Sequence, residues 1–419
     1  MRVLLIASSY APLAGGVQTV THDLARHLIR KGHKVQVVTN HYPRSLPVKE
    51  TIDGVAVERL LFLTPDLDSL LQKRPALFLA SLFVYPYNLG RLRAIMHRFR
   101  PHIVNVHFPD HQIPFVLALR DEFDGRLIVS LHGHDIERVV MDHAVQNGSR
   151  LSRSGRWCYR RSLTKLRSIL IEADAVTACS QYLLDKAIKV EPSIAGKGRA
   201  IHNGIDLTRF RNKTTHVSGR PYILALGRLV RVKGFDMLLD AFARTESEET
   251  DLIIAGDGEE RRALENQTRQ LKLEKRVHFF GSATPEEAVC LLNGCRFVVI
   301  PSRLESFGIV ALEAMAAGKP VLATRVGGLP ELLAEVQRQV GDGLGPSSSA
   351  VQVSKGEGDD VISQFATLVE PNREALAKGL SKLLHSFLHG NSFAKPRVER
   401  YSWERVVNDY EAVMAVTGE

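Results

Sequence analysis

The chain has 419 residues, 44 % hydrophobic content and a net charge of +9, which is too much for one core and predicts two domains of roughly 200 residues each. It holds no charge-free apolar run of 18 residues, which excludes a membrane-spanning helix, and Met1-Arg-Val-Leu-Leu-Ile-Ala is too short an apolar start, with Tyr10 and Pro12 close behind, to read as a signal peptide. Four scattered cysteines, Cys158, Cys179, Cys290 and Cys295, lack the paired spacing of metal ligands and read as free thiols of a cytoplasmic protein.

Short β-rich runs alternate with helical patterns from the start. Val3–Ala7 predicts a strand, and Gly15-Gly16-Val17 a glycine-rich turn opening an amphipathic helix through Leu28 with Gly32 beyond its end. This turn lacks the full G-x-G-x-x-G spacing, and no acidic residue ends the next strand, Val35–Thr39, so a dinucleotide enzyme is disfavoured. Backbone amides at Gly15 and Gly16 are candidate ligand contacts. Further strands are expected at Ile103–His107, Leu127–Leu131 and Ala175–Cys179, with His132, His134 and Asp135 directly after the second of these. Residues 1–200 hold 28 Lys and Arg against 17 Asp and Glu. Arg91, Arg93, Arg98, Arg100 and the run Arg138, Arg150, Arg153, Arg156, Arg160, Arg161, Lys165 and Arg167 carry much of that excess. A solvated helix face is the commoner reading of such clusters; the neighbouring apolar segment Leu77–Tyr87 adds an anionic membrane surface as a partner to weigh against it, and no nucleic-acid module is present.

A second βαβ series follows the polar stretch Arg209–Arg220, with strands expected at Tyr222–Leu226, Leu252–Ala255, Val277–Phe280, Phe297–Ile300 and Val321–Thr324. After the first of these, Gly227-Arg228 and Lys233-Gly234 place two cations at a strand-to-helix turn. Arg228 offers a bidentate fork to phosphate and Lys233 a point charge. After Phe297–Pro301 comes Glu305-Ser-Phe-Gly-Ile-Val-Ala-Leu-Glu313, with Glu305 in the loop and Glu313 inside the helix. Between them, the amides of Phe307, Gly308, Ile309 and Val310 stand at a helix N-terminus, where orphan donors and the helix dipole favour an anion. Gln337–Asp360, rich in Gly and Ser, reads as a flexible loop, and Trp403, Val406, Val407 and Tyr410 predict an amphipathic terminal helix.

In order, Gly15-Gly16, His132-Gly-His-Asp, Asn203-Gly-Ile-Asp206, Gly227-Arg228…Lys233-Gly234, Gly256-Asp-Gly258 and Glu305…Glu313 resemble family 4 glycosyltransferases over nearly the whole chain. The resemblance implies an α/β GT-B fold: two Rossmann-like doubly wound domains facing across a cleft, at 1–208 for the acceptor and 209–400 for the nucleotide-sugar. A helix in 401–419 would cross back to the first domain. It implies retaining, metal-independent transfer with no cofactor, from a nucleotide-sugar (UDP before GDP) to a glycan, lipid-linked or small-molecule acceptor. Such an enzyme is expected in the cytoplasm, peripheral on the inner face of the membrane, working in cell-envelope polysaccharide or glycolipid synthesis. The resemblance makes Arg228 and Lys233 the diphosphate ligands, Glu313 the ribose partner, Glu305 a donor-sugar contact, and His132 the histidine near the reacting centre. Gly327-Gly-Leu-Pro-Glu331 resembles a structural turn of the family.

Two alternatives differ in class. Metal-dependent sugar transfer would need an Asp-x-Asp after a strand, and Asp66-Leu-Asp68 stands in a predicted loop instead. A non-catalytic sugar-nucleotide sensor or membrane scaffold on the same fold would bind nucleotide and dispense with His132 and Glu305.

Overall fold

The computed structural model describes residues 1–13, 15–65, 74–137, 153–211, 214–245, 249–341, 361–362, 365–389, 393 and 396–415. Asp66-Leu-Asp68, Arg138 and Arg150 lie outside them. The chain divides into two compact units, Met1–Gly204 with Trp403–Glu419, and Ile205–Ser402. The divisions fall a few residues from the expected boundaries at 208/209 and 400/401.

In the first unit the strands are β1 (Arg2–Ala7), β2 (Lys34–Asn40), β3 (Lys49–Ile52), β4 (Val55–Leu60), β5 (Ile103–His107), β6 (Arg126–Leu131), β7 (Ala175–Ala178) and β8 (Gly198–Ala200). They form one sheet in the order β3-β4-β2-β1-β5-β6-β7-β8, parallel except for the β3–β4 pair. Residues of β1, β5 and β6 are almost wholly buried, as a parallel sheet covered on both faces requires, so the sequence shows continuous apolar runs there. The chain winds outward from β1 through β2 and then returns to β5 on β1's other side. Ligands of such sheets bind at this reversal, beyond the strands' carboxyl ends. The β3–β4 hairpin was not expected from sequence, although Asp53-Gly54 marks it: both residues have positive φ, at 48° and 82°, as a two-residue hairpin turn demands.

The second unit holds β9 (Tyr222–Leu226), β10 (Asp251–Ala255), β11 (Val277–Gly281), β12 (Val298–Ile300), β13 (Val321–Thr324), β14 (Val361–Ile362) and β15 (Ala366–Val369), in the order β11-β10-β9-β12-β13-β15-β14. All neighbours are parallel except β14 and β15. Here the reversal lies between β9 and β12. The core beneath it joins Ile223, Ala225, Leu252 and Ile254 to Phe235, Leu238, Leu239 and Phe242 of the helix Phe235–Phe242, and to Leu376, Leu380 and Leu383 of the helix Arg373–Leu388.

Two sequence readings need correction. The helix Leu329–Gly341 continues through the first five residues of the expected loop Gln337–Asp360, because its amphipathic pattern outlasts the drop in hydropathy; 342–360 lie outside the described residues. The basic excess around the helix Pro75–Phe99 is partly offset. Arg91 and Arg98 bond the buried Glu58 at 3.0 and 3.3 Å, and Arg93 chelates Glu122 at 2.6 and 2.8 Å. Those partners are 29 to 40 residues away in sequence, out of reach of a local charge count. The apolar part of that helix remains outside: Leu79, Phe83 and Tyr87 are 58 %, 78 % and 68 % exposed. No helix among the described residues is long and apolar enough to cross a membrane.

The helix Trp403–Ala415 packs within the first unit, burying Trp403, Val406, Val407, Tyr410 and Met414. Lys31, just past the helix Gly16–Arg30, bonds Asn408 and Glu411, and His33 reaches Glu411 at 2.7 Å. Gly204 lies flat against the Trp403 indole, where a Cβ would come within 2.4 Å of the ring.

Candidate functional site

Around the β9/β12 reversal the loops interlock before any side chain is considered. Gly234 has φ 69° and is pressed so closely on Pro301 that a Cβ would stand 2.0 Å from its carbonyl oxygen. The Arg303 amide donates to the Val232 carbonyl at 2.8 Å, and its guanidinium grips Asp236 with bonds of 2.6 and 2.7 Å. Burial alone would raise the Asp236 carboxyl, yet the Arg303 guanidinium holds it below the ordinary aspartate range. The sequence reading missed Arg303; its only signal was a position between two motif segments. Its effect is to fix the loop carrying Lys233 to the loop carrying Glu305.

That brace delivers Lys233 Nζ to 2.6 Å from Glu305 Oε2, with the Ser302 hydroxyl at 3.4 Å from the same oxygen. Both side chains keep a solvent-facing edge, at 26 % and 15 % exposure. From below, Gly327 (φ 61°) and Gly328 support the Glu305 loop. Gly328 donates to the Glu305 carbonyl at 2.9 Å, and a Cβ on Gly327 would fall 1.6 Å from that oxygen. Gly327-Gly-Leu-Pro-Glu331 therefore has a structural task, as expected from its resemblance. Gly256 and Gly258 have another, lying against the Gly227 and Leu229 carbonyls with no room for a Cβ.

Arg228 is exposed beyond β9, and its guanidinium makes no hydrogen bond or ion pair among the described residues. Gly308 adopts φ 105° as it opens the helix Ile309–Ala316, whose first-turn amides at Ile309 and Val310 have no intrahelical acceptor. Glu313 sits one turn further along the helix. Burial pushes its carboxyl up to about 7, against a partial lowering by Arg209. Its carboxyl group makes no hydrogen bond among the described residues. The second unit thus brings Arg228, Lys233, Glu305, Gly308 and Glu313 to the same reversal of one sheet. The set offers two cations and a helix N-terminus for anionic oxygens, with carboxylates for hydroxyl groups.

In the first unit, β1, β5, β6 and β7 end side by side, with Ala7 opposite His107, His107 opposite Ser130, and Leu131 opposite Ala178. The helix Gly16–Arg30 opens with Gly15 in an extended form that brings its Cβ position 2.3 Å from Gln18 Oε1. His132 follows β6, and its Nε2 lies 3.0 Å from Nδ1 of His107, with the rings stacked at 5.3 Å. Burial lowers His132 to about 4 and holds His107 well below the ordinary histidine range, so both imidazoles are neutral at physiological pH. Asp135 accepts the amides of His132, Gly133 and Ile136 at 2.9, 2.7 and 3.0 Å. It braces the His132 turn with its carboxylate fully engaged, and burial raises it to about 6. His134 points outward, with its ring 6.4 Å from that of Phe108. His107 escaped the sequence reading because a histidine ending an apolar strand has no local mark of function.

Residues 14–209 match the model of Glycosyltransferase Family 4, and residues 206–341 that of Glycosyl transferases group 1. Among curated proteins, the N-acetyl-alpha-D-glucosaminyl L-malate synthase of Bacillus anthracis is 26 % identical, covering 84 % of this chain and 88 % of its own. The D-inositol 3-phosphate glycosyltransferase of Corynebacterium urealyticum is 26 % identical over 96 % of this chain and 93 % of its own. Among solved structures, Anabaena HepE in complex with UDP and glucose superposes with a TM-score of 0.67 at 18 % identity, covering 99 % of both chains. At that identity the likeness speaks to the GT-B fold alone. With two adjoining family models, full-length curated relatives and the fold in agreement, the chain belongs to the family 4, group 1 glycosyltransferases and is a glycosyltransferase enzyme.

Proposed function

We propose that the protein transfers a sugar from a nucleoside-diphosphate sugar, UDP-linked in preference to GDP-linked, with retention of configuration and without a metal ion. The observation that carries this reading is the cationic pair Arg228 and Lys233 beside the amides opening the helix Ile309–Ala316, all at one sheet reversal. Arg228 and Lys233 meet the diphosphate, and charge growing on it as the sugar bond breaks is stabilised by these groups and the helix N-terminus. Glu305 turns from Lys233 toward a sugar hydroxyl, and Glu313 accepts from the ribose. Retention needs no side-chain nucleophile if the departing phosphate takes the acceptor proton on the face that it leaves.

The acceptor is a glycan, lipid-linked or small molecule, taken from the cytoplasm or the inner membrane face. For membrane contact the support is apolar rather than electrostatic, since Phe83 and Tyr87 are exposed while Arg91, Arg93 and Arg98 are paired. The deciding experiment is a thermal-shift panel of UDP, GDP, ADP and their common sugars, with and without chelator, on the native chain and Arg228→Ala. A ligand that binds only the folded state raises Tm by mass action. A uridine-selective shift, indifferent to chelator and lost in Arg228→Ala, is expected; a shift that needs divalent metal or survives in the variant refutes the metal-free clamp.

A further inference from the structure

We propose that His107 sets the tautomer of His132: His107 donates its Nδ1–H to His132 Nε2, so His132 carries its proton on Nδ1 and meets a ligand as a hydrogen-bond donor. The two rings share one hydrogen bond of 3.0 Å between those nitrogens, and the proton on it can belong to either ring. The choice follows from the far side of His107. That residue is fully buried, and its Nε2 has no hydrogen-bond partner among the described residues. If His132 were the donor, neutral His107 would have to place its remaining proton on Nε2, leaving a buried N–H orphaned. With His107 as donor, Nε2 is a bare lone pair instead, and orphaned N–H groups are the rarer and costlier defect.

The rest of the surroundings hold His132 without competing for its ring: Asp135 accepts its main-chain amide, and the Cys179 thiol approaches its carbonyl at 3.8 Å. Both imidazoles being neutral, one proton each is all there is to place.

This deepens the transferase reading and rests on it only in its last step. A neutral His132 with Nδ1–H can orient a hydroxyl oxygen of the donor sugar, but it cannot remove the acceptor proton through that nitrogen. His107 is then a positioning residue.

The test is nitrogen-15 NMR of histidine-labelled full-length chain at pH 7.5, with His132→Asn and His107→Asn spectra for assignment. His132 is expected to show a protonated Nδ1 and a bare Nε2; a proton on His132 Nε2, or a charged ring, overturns the proposal. This readout needs neither donor nor acceptor, so its failure is separate from failure of the transferase reading. In sugar transfer, His107→Asn restores an N–H donor close to the original Nδ1 and is expected to keep kcat within about threefold, whereas His107→Leu loses about tenfold, the worth of one neutral hydrogen bond. Equal losses in the two variants would reduce His107 to a space-filling residue and also overturn the proposal.

Discussion

Lys233 and Glu305 are joined across the switch point of the second sheet by a 2.6 Å ion pair whose two halves come from loops 72 residues apart. In the proposed mechanism the pair must open for Lys233 to meet phosphate and Glu305 to meet sugar. Lys233→Ala should therefore weaken nucleoside-diphosphate binding by about 10- to 100-fold, the range of a charge-assisted hydrogen bond. Glu305→Gln frees Lys233 from its partner and should leave plain UDP binding equal or tighter while lowering kcat with a UDP-sugar. Calorimetry with UDP, paired with turnover measurements, separates the two effects.

Gly327 is the point at which the backbone leaves no choice. Its φ of 61°, and the 1.6 Å that would separate a Cβ here from the Glu305 carbonyl oxygen, mean that Gly327→Ala must displace the loop carrying Glu305. A loss of about 2 kcal/mol or more in stability is expected from strain and overpacking. Transfer should fall further than nucleotide binding, because Arg228 and Lys233 lie on the other loop. Urea unfolding and steady-state kinetics on the variant check both parts.

Glu313 links activity to pH. Its folded-state carboxyl titrates near 7, above the 4.5 of an ordinary glutamate, so between those values the folded chain holds a proton that the unfolded chain has lost. Stability from this group thus declines as pH rises from 4.5 to 7. Glu313→Gln should raise Tm relative to the native chain at pH 8 and change it little at pH 4.5. The ionised carboxylate is the better acceptor for ribose hydroxyls, so UDP affinity should strengthen from pH 6 to pH 8 in the native chain and flatten in the variant. Scanning calorimetry and UDP titration at several pH values provide the comparison.

Trp403 anchors the terminal helix in the first unit and is 1 % exposed against Gly204. Trp403→Ala should cost about 3–5 kcal/mol. Ending the chain at Ser402 should be worse, since it strips Val406, Val407, Tyr410 and Met414 from their contacts and leaves Ser130 and Thr177 without the Tyr410 hydroxyl. Denaturant unfolding followed by circular dichroism, with the fluorescence of Trp157, which both variants keep, as a second probe, measures the loss.

Membrane contact through the helix Pro75–Phe99, if apolar, should be insensitive to lipid charge. Phe83→Asp with Tyr87→Asp should abolish flotation with liposomes, and zwitterionic and anionic vesicles should capture the native chain to a similar extent. Capture that follows anionic lipid and survives the double change would return the contact to the basic residues.

Much of this protein was determined by its sequence taken alone. Continuous apolar runs separated by helical patterns specified two parallel sheets, because burial on both faces requires strands such as Val3–Ala7 and Tyr222–Leu226 to be apolar throughout. The glycines at 15, 234, 308 and 327 marked the turns where only a residue without Cβ fits, and Glu305 and Glu313 were legible from their spacing around one of them. The β3–β4 hairpin was less visible because Glu50 in the edge strand β3, and Glu58 and Arg59 in its neighbour β4, break an apolar pattern. What a partner distant in sequence controls was decided only by tertiary structure. Glu58 and Glu122 pair with Arg91, Arg93 and Arg98 on a helix that reads as basic, and Arg303 clamps Asp236. The same holds for protonation: Glu313 near 7 and neutral His132 against His107 are consequences of desolvation, a property of the packed surroundings that no local spacing encodes.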